Sequence, residues 1–232
     1  MKLGTRQCQA WSTGIQTKYC FLVILSSFWD ILSIVLLTKS ILASSVCPVY
    51  CRFCTRSYSV GAETESHPKL RFLPIWKRWE KVFSYIENTT TVQDVVVSGG
   101  DSFYLDPEQI VGIGERLLSI PHIKRLRFAS KGLAVCPSRM LDPQDRWTDA
   151  LIQVSDLGRK LCKSVALHTH FNHPNEITWI TQEAAQRLYR SCVVVRNQTV
   201  LLKGVNNDLG TMKQLIRELA DMNIQPVSML VL

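Results

Sequence analysis

The sequence predicts an α/β fold with parallel β/α winding, and three observations predict it. Short strand-like runs, the first of them β-branched, alternate with helical stretches from residue 94 to residue 221. Polar motifs follow those runs directly, at the carboxyl ends where parallel β/α folds build their sites. The length of 232 residues, with 46% hydrophobic content, provides the core of one domain. Five or six strand-helix units lead to one of two architectures, a doubly wound sheet or an open barrel.

Residues 1–46 read as an apolar amino-terminal segment set apart from a core domain over 47–232. From residue 20 to 46 the segment is strongly apolar but interrupted by Asp30 and Lys39. A central Asp costs roughly 2.5–3.5 kcal/mol on insertion, and the uncharged stretches fall short of the roughly 20 residues a membrane span needs. A membrane anchor through 20–46 is therefore the weaker reading, and a signal peptide lacks a cleavage site before Ala43-Ser44-Ser45. Ile41 to Val46 is the candidate for the first strand.

Lys77, Arg78 and Lys81 sit on a helical stretch and are expected on a solvated face. Asp94 to Ser98 is a β-branched strand. The helix from Pro107 to Ser119 has Asp106 as N-cap and Pro107 at its first position. Arg125 to Ala129, Ser164 to His168 and Val193 to Arg196 read as further strands, with helices near 144–159, 179–190 and 208–221. Beyond Asn223-Ile-Gln-Pro226 the closing residues VSMLVL are not expected to form the next strand.

The net charge of +8 and pI near 9.2 come from scattered basic residues, without an aromatic-plus-basic module. No nucleic-acid partner is expected. Eight cysteines in a chain of this size, three of them closely spaced, favour metal binding in a reducing compartment over a disulfide framework.

The strongest local signal is Cys47-Pro-Val-Tyr-Cys51-Arg-Phe-Cys54, a C-x3-C-x2-C spacing. Thiolates suit iron-sulfur clusters, and three within eight residues can hold three irons of a [4Fe-4S] cubane while the fourth stays open. Zinc sites favour paired C-x2-4-C units or a following histidine pair. Small buried hydrophobes are the bland alternative. Ser98-Gly99-Gly100-Asp101 follows a strand, so its backbone is open to a ligand or makes a simple tight turn, and Asp101 can cap a helix start. His168, His170 and His173 have no carboxylate or cysteine pattern completing a zinc set, and read as hydrogen-bonding groups on a site loop.

The cysteine loop resembles the cluster signature of the radical S-adenosylmethionine enzymes. Its flanks, with VVVSGGDSFYL (95–105), PHIKRLRFASKGLAVCPSRM (121–140), ALHTHFNHPNEIT (166–178) and VRNQTVLLKGVNND (195–208), resemble the lysine 2,3-aminomutase family over residues 47 to 226. The resemblance implies a partial, open β/α barrel with the cluster loop after its first strand. It implies that S-adenosylmethionine chelates the open iron and is cleaved to a 5'-deoxyadenosyl radical, and that pyridoxal phosphate holds a migrating amino group as lysine becomes β-lysine. By resemblance Cys47, Cys51 and Cys54 bind the metal. Gly99, Gly100, Asp101, His170 and His173 contact S-adenosylmethionine. Asn197 and Gln198 lie near its adenosyl part and pyridoxal phosphate, and Arg56 takes the substrate α-carboxylate. Arg52 shields or tunes the cluster, while Lys131 matches a basic position without an assigned task.

Implied partners are an amino acid, lysine by resemblance, and an electron donor to the cluster; homo-oligomer formation stays open. An oxygen-sensitive cluster implies a reducing intracellular compartment, cytoplasm or mitochondrion, with membrane association as the alternative. The family's glycine-rich loop, whose lysine forms the Schiff base with pyridoxal phosphate, has no counterpart in residues 1–232. The expectation is thus a truncated member lacking the family's carboxy-terminal portion, with a non-catalytic [4Fe-4S]-binding fragment as the alternative.

Overall fold

The computed structural model describes residues 38–231 except 62, 64, 66 and 67. Most of the apolar segment, including the interruption at Asp30, therefore lies outside the described residues. Among the described residues no helix is long and apolar enough to cross a membrane.

Six parallel strands form one sheet in the order β1-β2-β3-β4-β5-β6. They are β1 (Thr38–Ser44), β2 (Asp94–Gly99), β3 (Arg125–Ala129), β4 (Ser164–Thr169), β5 (Val194–Leu201) and β6 (Gln225–Val231). Connecting helices are α1 (Trp76–Asn88), α2 (Pro107–Leu118), α3 (Gly132–Val135), α4 (Trp147–Lys160), α5 (Trp179–Arg190) and α6 (Leu209–Asp221). The order never reverses. Right-handed crossovers between successive neighbours place every helix on the same face, so the fold is an open β/α barrel and lacks the switch point of a doubly wound sheet.

The burial pattern follows from this winding. Val95, Val97, Leu126, Phe128, Val165, Leu167 and Val195 join Trp79, Phe83, Ile110, Leu151, Leu188 and Leu215 in one hydrophobic cluster. The alternate strand positions, among them Arg127, His168 and Arg196, occupy the opposite, concave face.

Three expectations need adjustment. The first strand lies at Thr38–Ser44, earlier than Ile41 to Val46, because Ser44 already pairs with Gly99 across a bulge and the chain then leaves the sheet. β5 extends to Leu201, since Thr199, Val200 and Leu201 continue the apolar run past a register shift between Asn197 and Gln198. The closing residues, not expected to form a strand, make β6: Gln225–Val231 pairs in parallel with Arg196–Leu201. Its Pro226 is tolerated at the start of an edge strand, where a missing N–H is harmless.

Helix α1 also departs from a fully solvated face. Lys77 and Lys81 are exposed. Arg78 instead donates to Leu42 O and Ala43 O at 2.7 Å each, and Trp79 Nε1 donates to Ala43 O at 3.2 Å. These bonds satisfy carbonyls where β1 ends.

The last three helix-to-strand turns repeat one geometry. Cys162, Cys192 and Asn223 have φ of 55°, 56° and 59°. Each is followed by an N–H that reaches back five residues, Lys163 to Gly158 O, Val193 to Leu188 O and Ile224 to Leu219 O, as in a Schellman cap.

Candidate functional site

Motif residues gather at the carboxyl ends of the strands. The cysteine loop leaves β1, Gly99-Gly100-Asp101 ends β2, Ser130 and Lys131 follow β3, and His170 to His173 follow β4. Asn197 and Gln198 lie within β5, at its register shift.

The base of the cysteine loop is tied on two sides. Toward β2, Gly100 N–H donates to Ser44 O at 2.6 Å and Asp101 N–H to Val46 O at 2.9 Å. Toward the returning chain, Ser45 N–H donates to Phe72 O at 2.9 Å and Phe72 N–H to Ser45 Oγ at 2.8 Å. The two glycines are explained by this packing. A Cβ on Gly99, whose φ is +129°, would meet Ser44 O at 2.2 Å, and one on Gly100 would meet Val46 O at 2.1 Å. The amides of Gly100 and Asp101 are therefore spent on the loop base. They are not the open backbone donors that the motif suggests when read alone.

Asp101 is buried and serves as a cap. Its Oδ1 accepts from Phe103 N–H at 2.8 Å and its Oδ2 from Lys131 N–H at 2.7 Å. Burial raises its pKa, opposed by the bonds from Phe103 and Lys131.

The thiols of Cys47, Cys51 and Cys54 are free and half-buried. Cys47 Sγ donates to Val49 O at 3.0 Å, and Cys54 Sγ accepts from Arg56 N–H at 3.4 Å. Burial pushes the Cys47 thiol up to about 11 and raises that of Cys51, against the pull of Lys131. Among the described residues no three His, Cys, Asp or Glu side chains are gathered tightly enough to hold a metal ion. The donor set nonetheless suits an iron-sulfur cluster: three soft ligands lie on one loop, and a cubane is wider than a single ion and spreads its thiolates farther apart. Because burial favours the neutral thiols here, loading must release protons.

His170 comes directly onto this loop. Its ring lies 5.6 Å from that of Phe53, which stands between Cys51 and Cys54. Burial, reinforced by Lys131, lowers its pKa to about 4, so the ring is neutral at pH 7, and its buried Nε2 has no partner. His173 is differently occupied: its Nδ1 accepts from Asn175 N–H at 3.1 Å, capping the 3-10 turn Pro174–Glu176.

Asn197 is fully buried. Its Oδ1 accepts from Phe171 N–H at 2.7 Å, and its Nδ2 donates to Phe171 O at 3.1 Å and Thr199 Oγ1 at 2.8 Å. The side chain thus fixes the loop that carries His170. Gln198 is half-buried beside it.

Arg56 turns under the loop onto the concave face. Its Nη2 donates to Ser40 Oγ at 2.9 Å, while Nη1 is buried without a partner. Burial lowers its pKa from the usual arginine value. A buried guanidinium with a free N–H edge can receive a carboxylate.

Sequence reasoning left Lys131 without a task and passed over Glu176. Lys131 Nζ donates to His170 O and to Glu176 Oε1, both at 2.7 Å, and Glu176 Oε2 accepts from Asn172 N–H at 2.5 Å. The pair fastens the β4 loop to the end of β3. The basic residue in Ser130-Lys131-Gly132 and the acid in Asn175-Glu176 were the only signals, and neither identifies the other.

No family model matches the sequence. L-lysine 2,3-aminomutase of Clostridium subterminale is 36% identical over 186 residues, which are 80% of this chain and 40% of that protein. Glutamate 2,3-aminomutase of Clostridioides difficile is 32% identical over 180 residues, 78% of this chain and 38% of that protein. L-lysine 2,3-aminomutase of Bacillus subtilis is 31% identical over 185 residues, covering 80% and 36%. Among solved structures, a radical S-adenosylmethionine methyltransferase from Kitasatospora setae aligns with a TM-score of 0.45 at 12% identity, over 84% of this chain and 36% of that one. The chain spans about two fifths of the length of the curated relatives it matches. Over about four fifths of its length, then, this chain is related in sequence to enzymes named lysine or glutamate 2,3-aminomutase.

Proposed function

We propose that the protein is a radical S-adenosylmethionine protein of aminomutase type, acting on an amino acid. Cys47, Cys51 and Cys54 would hold a [4Fe-4S] cluster, leaving one iron to S-adenosylmethionine. When bound, the two supply the one-electron chemistry that makes an organic radical, which no protein side chain here provides. The observation that carries the reading is the meeting of three free thiols, Phe53 and the neutral, unpartnered His170 at one rim of an open barrel.

The chain's own residues position and shield. His170 offers a neutral Nε2 to a hydrogen-bonding group of the cofactor. Lys131, Glu176 and Asn197 hold the loop behind it. Arg56 receives the α-carboxylate of the amino acid. The rim backbone of Gly99 and Gly100, with His173 and Gln198, completes the expected cofactor surroundings. Pyridoxal phosphate belongs to the same expectation, as does the 1,2-amino shift named in the lysine and glutamate enzymes.

Anaerobic reconstitution with iron and sulfide tests this. We expect a brown protein with about four irons per chain that cleaves S-adenosylmethionine on reduction. Cys51→Ala should lose the iron and the cleavage while keeping the fold by circular dichroism. A folded wild-type chain that takes up no cluster refutes the proposal. Cluster and cleavage without any β-amino-acid product would favour the second reading, a cluster-binding protein that does not complete the amino shift.

A further inference from the structure

The concave face of the sheet carries charge that the cysteine loop does not use. Strand alternation and register place Arg125 and Arg127 of β3, His168 of β4 and Arg196 of β5 on this face. Arg56 reaches the same face from above β1, through Ser40. Four guanidinium groups thus face one strand carboxylate, that of Asp94.

Asp94 is already occupied. It accepts from Arg125 Nε at 3.2 Å and from Arg127 Nε at 2.9 Å, with Arg127 Nη2 also at 2.9 Å. Arg196 has no carboxylate partner among the described residues, and its one side-chain bond is a long contact of 3.5 Å to Gln225 Oε1. His168 is the direct register partner of Arg196, and its buried Nε2 has no partner.

Arg196 and His168 therefore form a two-residue donor pair: one permanent cation and one buried nitrogen without a bond. The burial of His168 together with Arg127 and Arg196 holds its pKa near 3, so the ring is neutral and can donate from Nε2 without adding charge. β1 and β5 are four strand intervals of about 4.8 Å apart along the sheet, and its curvature brings them closer across the bore. Arg56 and Arg196 approach that bore from opposite sides.

We propose that Arg196 and His168 form a second anion subsite across the bore from Arg56, for the distal carboxylate of an acidic amino acid such as glutamate. The inference rests on the aminomutase-type reading and deepens it by naming the substrate class. A lysine side chain would bring its ammonium to the Arg196 guanidinium, with no free carboxylate on this face among the described residues to receive it. Like-charge juxtaposition of this kind selects against a ligand as strongly as contacts select for one.

The test is calorimetric titration of the full chain with L-glutamate, L-lysine and pyridoxal phosphate, each with and without the reconstituted cluster. Glutamate should bind at least tenfold more tightly than lysine. Arg196→Met should weaken glutamate at least tenfold while leaving pyridoxal phosphate unchanged, and Arg196→Lys should restore part of the loss. Arg196→Lys also serves if the Met variant does not fold. Equal or tighter binding of lysine, no binding of glutamate, or glutamate binding indifferent to Arg196→Met overturns the proposal. So does loss of pyridoxal phosphate binding in place of glutamate binding, which would make the subsite a phosphate site. Failure to load a cluster instead strikes the broader reading, because the titration without cluster reads the subsite alone.

Discussion

Gly100 is a position where one methyl group would disturb the whole rim. Its missing Cβ leaves space taken by the Val46 carbonyl, which is backbone and cannot rotate aside. We expect Gly100→Ala to cost about 3 kcal/mol, the upper end for overpacking, read from urea unfolding. It should also reduce iron uptake, because the displaced segment begins the cysteine loop. Unchanged stability would show that the loop base yields easily. The residue scale is also where the sequence was most and least legible. The cysteine spacing was plain because its ligand chemistry is local. The reason for the glycines was not, because it depends on a contact between residues more than fifty positions apart, and a Gly-Gly pair looks the same beneath a ligand and beneath a carbonyl. The loop-fixing bonds of Asn197 were hidden for the same reason: its partner Phe171 is in reach only once β4 and β5 are side by side.

At the scale of elements, the repeated helix-to-strand turns are built with unusual residues. A left-handed φ costs a residue with a Cβ roughly 1–2 kcal/mol, and only Gly avoids it, with Asn penalised less than most. Cys162 and Cys192 hold this conformation, and both are exposed. Replacing Cys192 by Gly should raise stability by roughly 1 kcal/mol, and Asn223→Gly by less. Thermal unfolding of the two variants checks the ranking; a loss in Cys192→Gly would show that its thiol contributes packing that outweighs the backbone term. Strands β2, β3 and β4 were legible almost to the residue, β2 from its β-branched run. β6 was missed because its pairing is decided by β5, which itself runs longer than its own apolar core suggested. Helix α1 illustrates the converse, since Arg78 looked solvated in a basic cluster until the end of β1 supplied carbonyls for it to bind.

For the whole molecule, the two buried histidines set how stability responds to acid. In the unfolded chain each takes up a proton near pH 6.5, whereas in the folded protein burial delays this to about 3 for His168 and about 4 for His170. Between those limits the unfolded state binds more protons, so stability is fully present above pH 6.5 and declines as pH falls toward 4. The slope is on the order of 1.4 kcal/mol per pH unit for each histidine. Urea midpoints of the metal-free chain at pH 7.5, 6, 5 and 4 should fall in that order, and His168→Gln should flatten the decline. A midpoint that holds steady down to pH 4 would mean that both rings accept protons in the folded state.

The ties at Ser45 have a final consequence for affinity. Hydrogen bonds between Ser45 and Phe72 fasten together chain positions 27 residues apart, with the three cysteines inside the span. Joining the ends of a free segment of that length costs about 3 kcal/mol of chain entropy plus a constant. Here the hydrogen bonds of Ser45 with Phe72 meet that cost without drawing on any metal ligand. Iron therefore need not gather a loose chain, and its binding strength can go into the thiolates themselves.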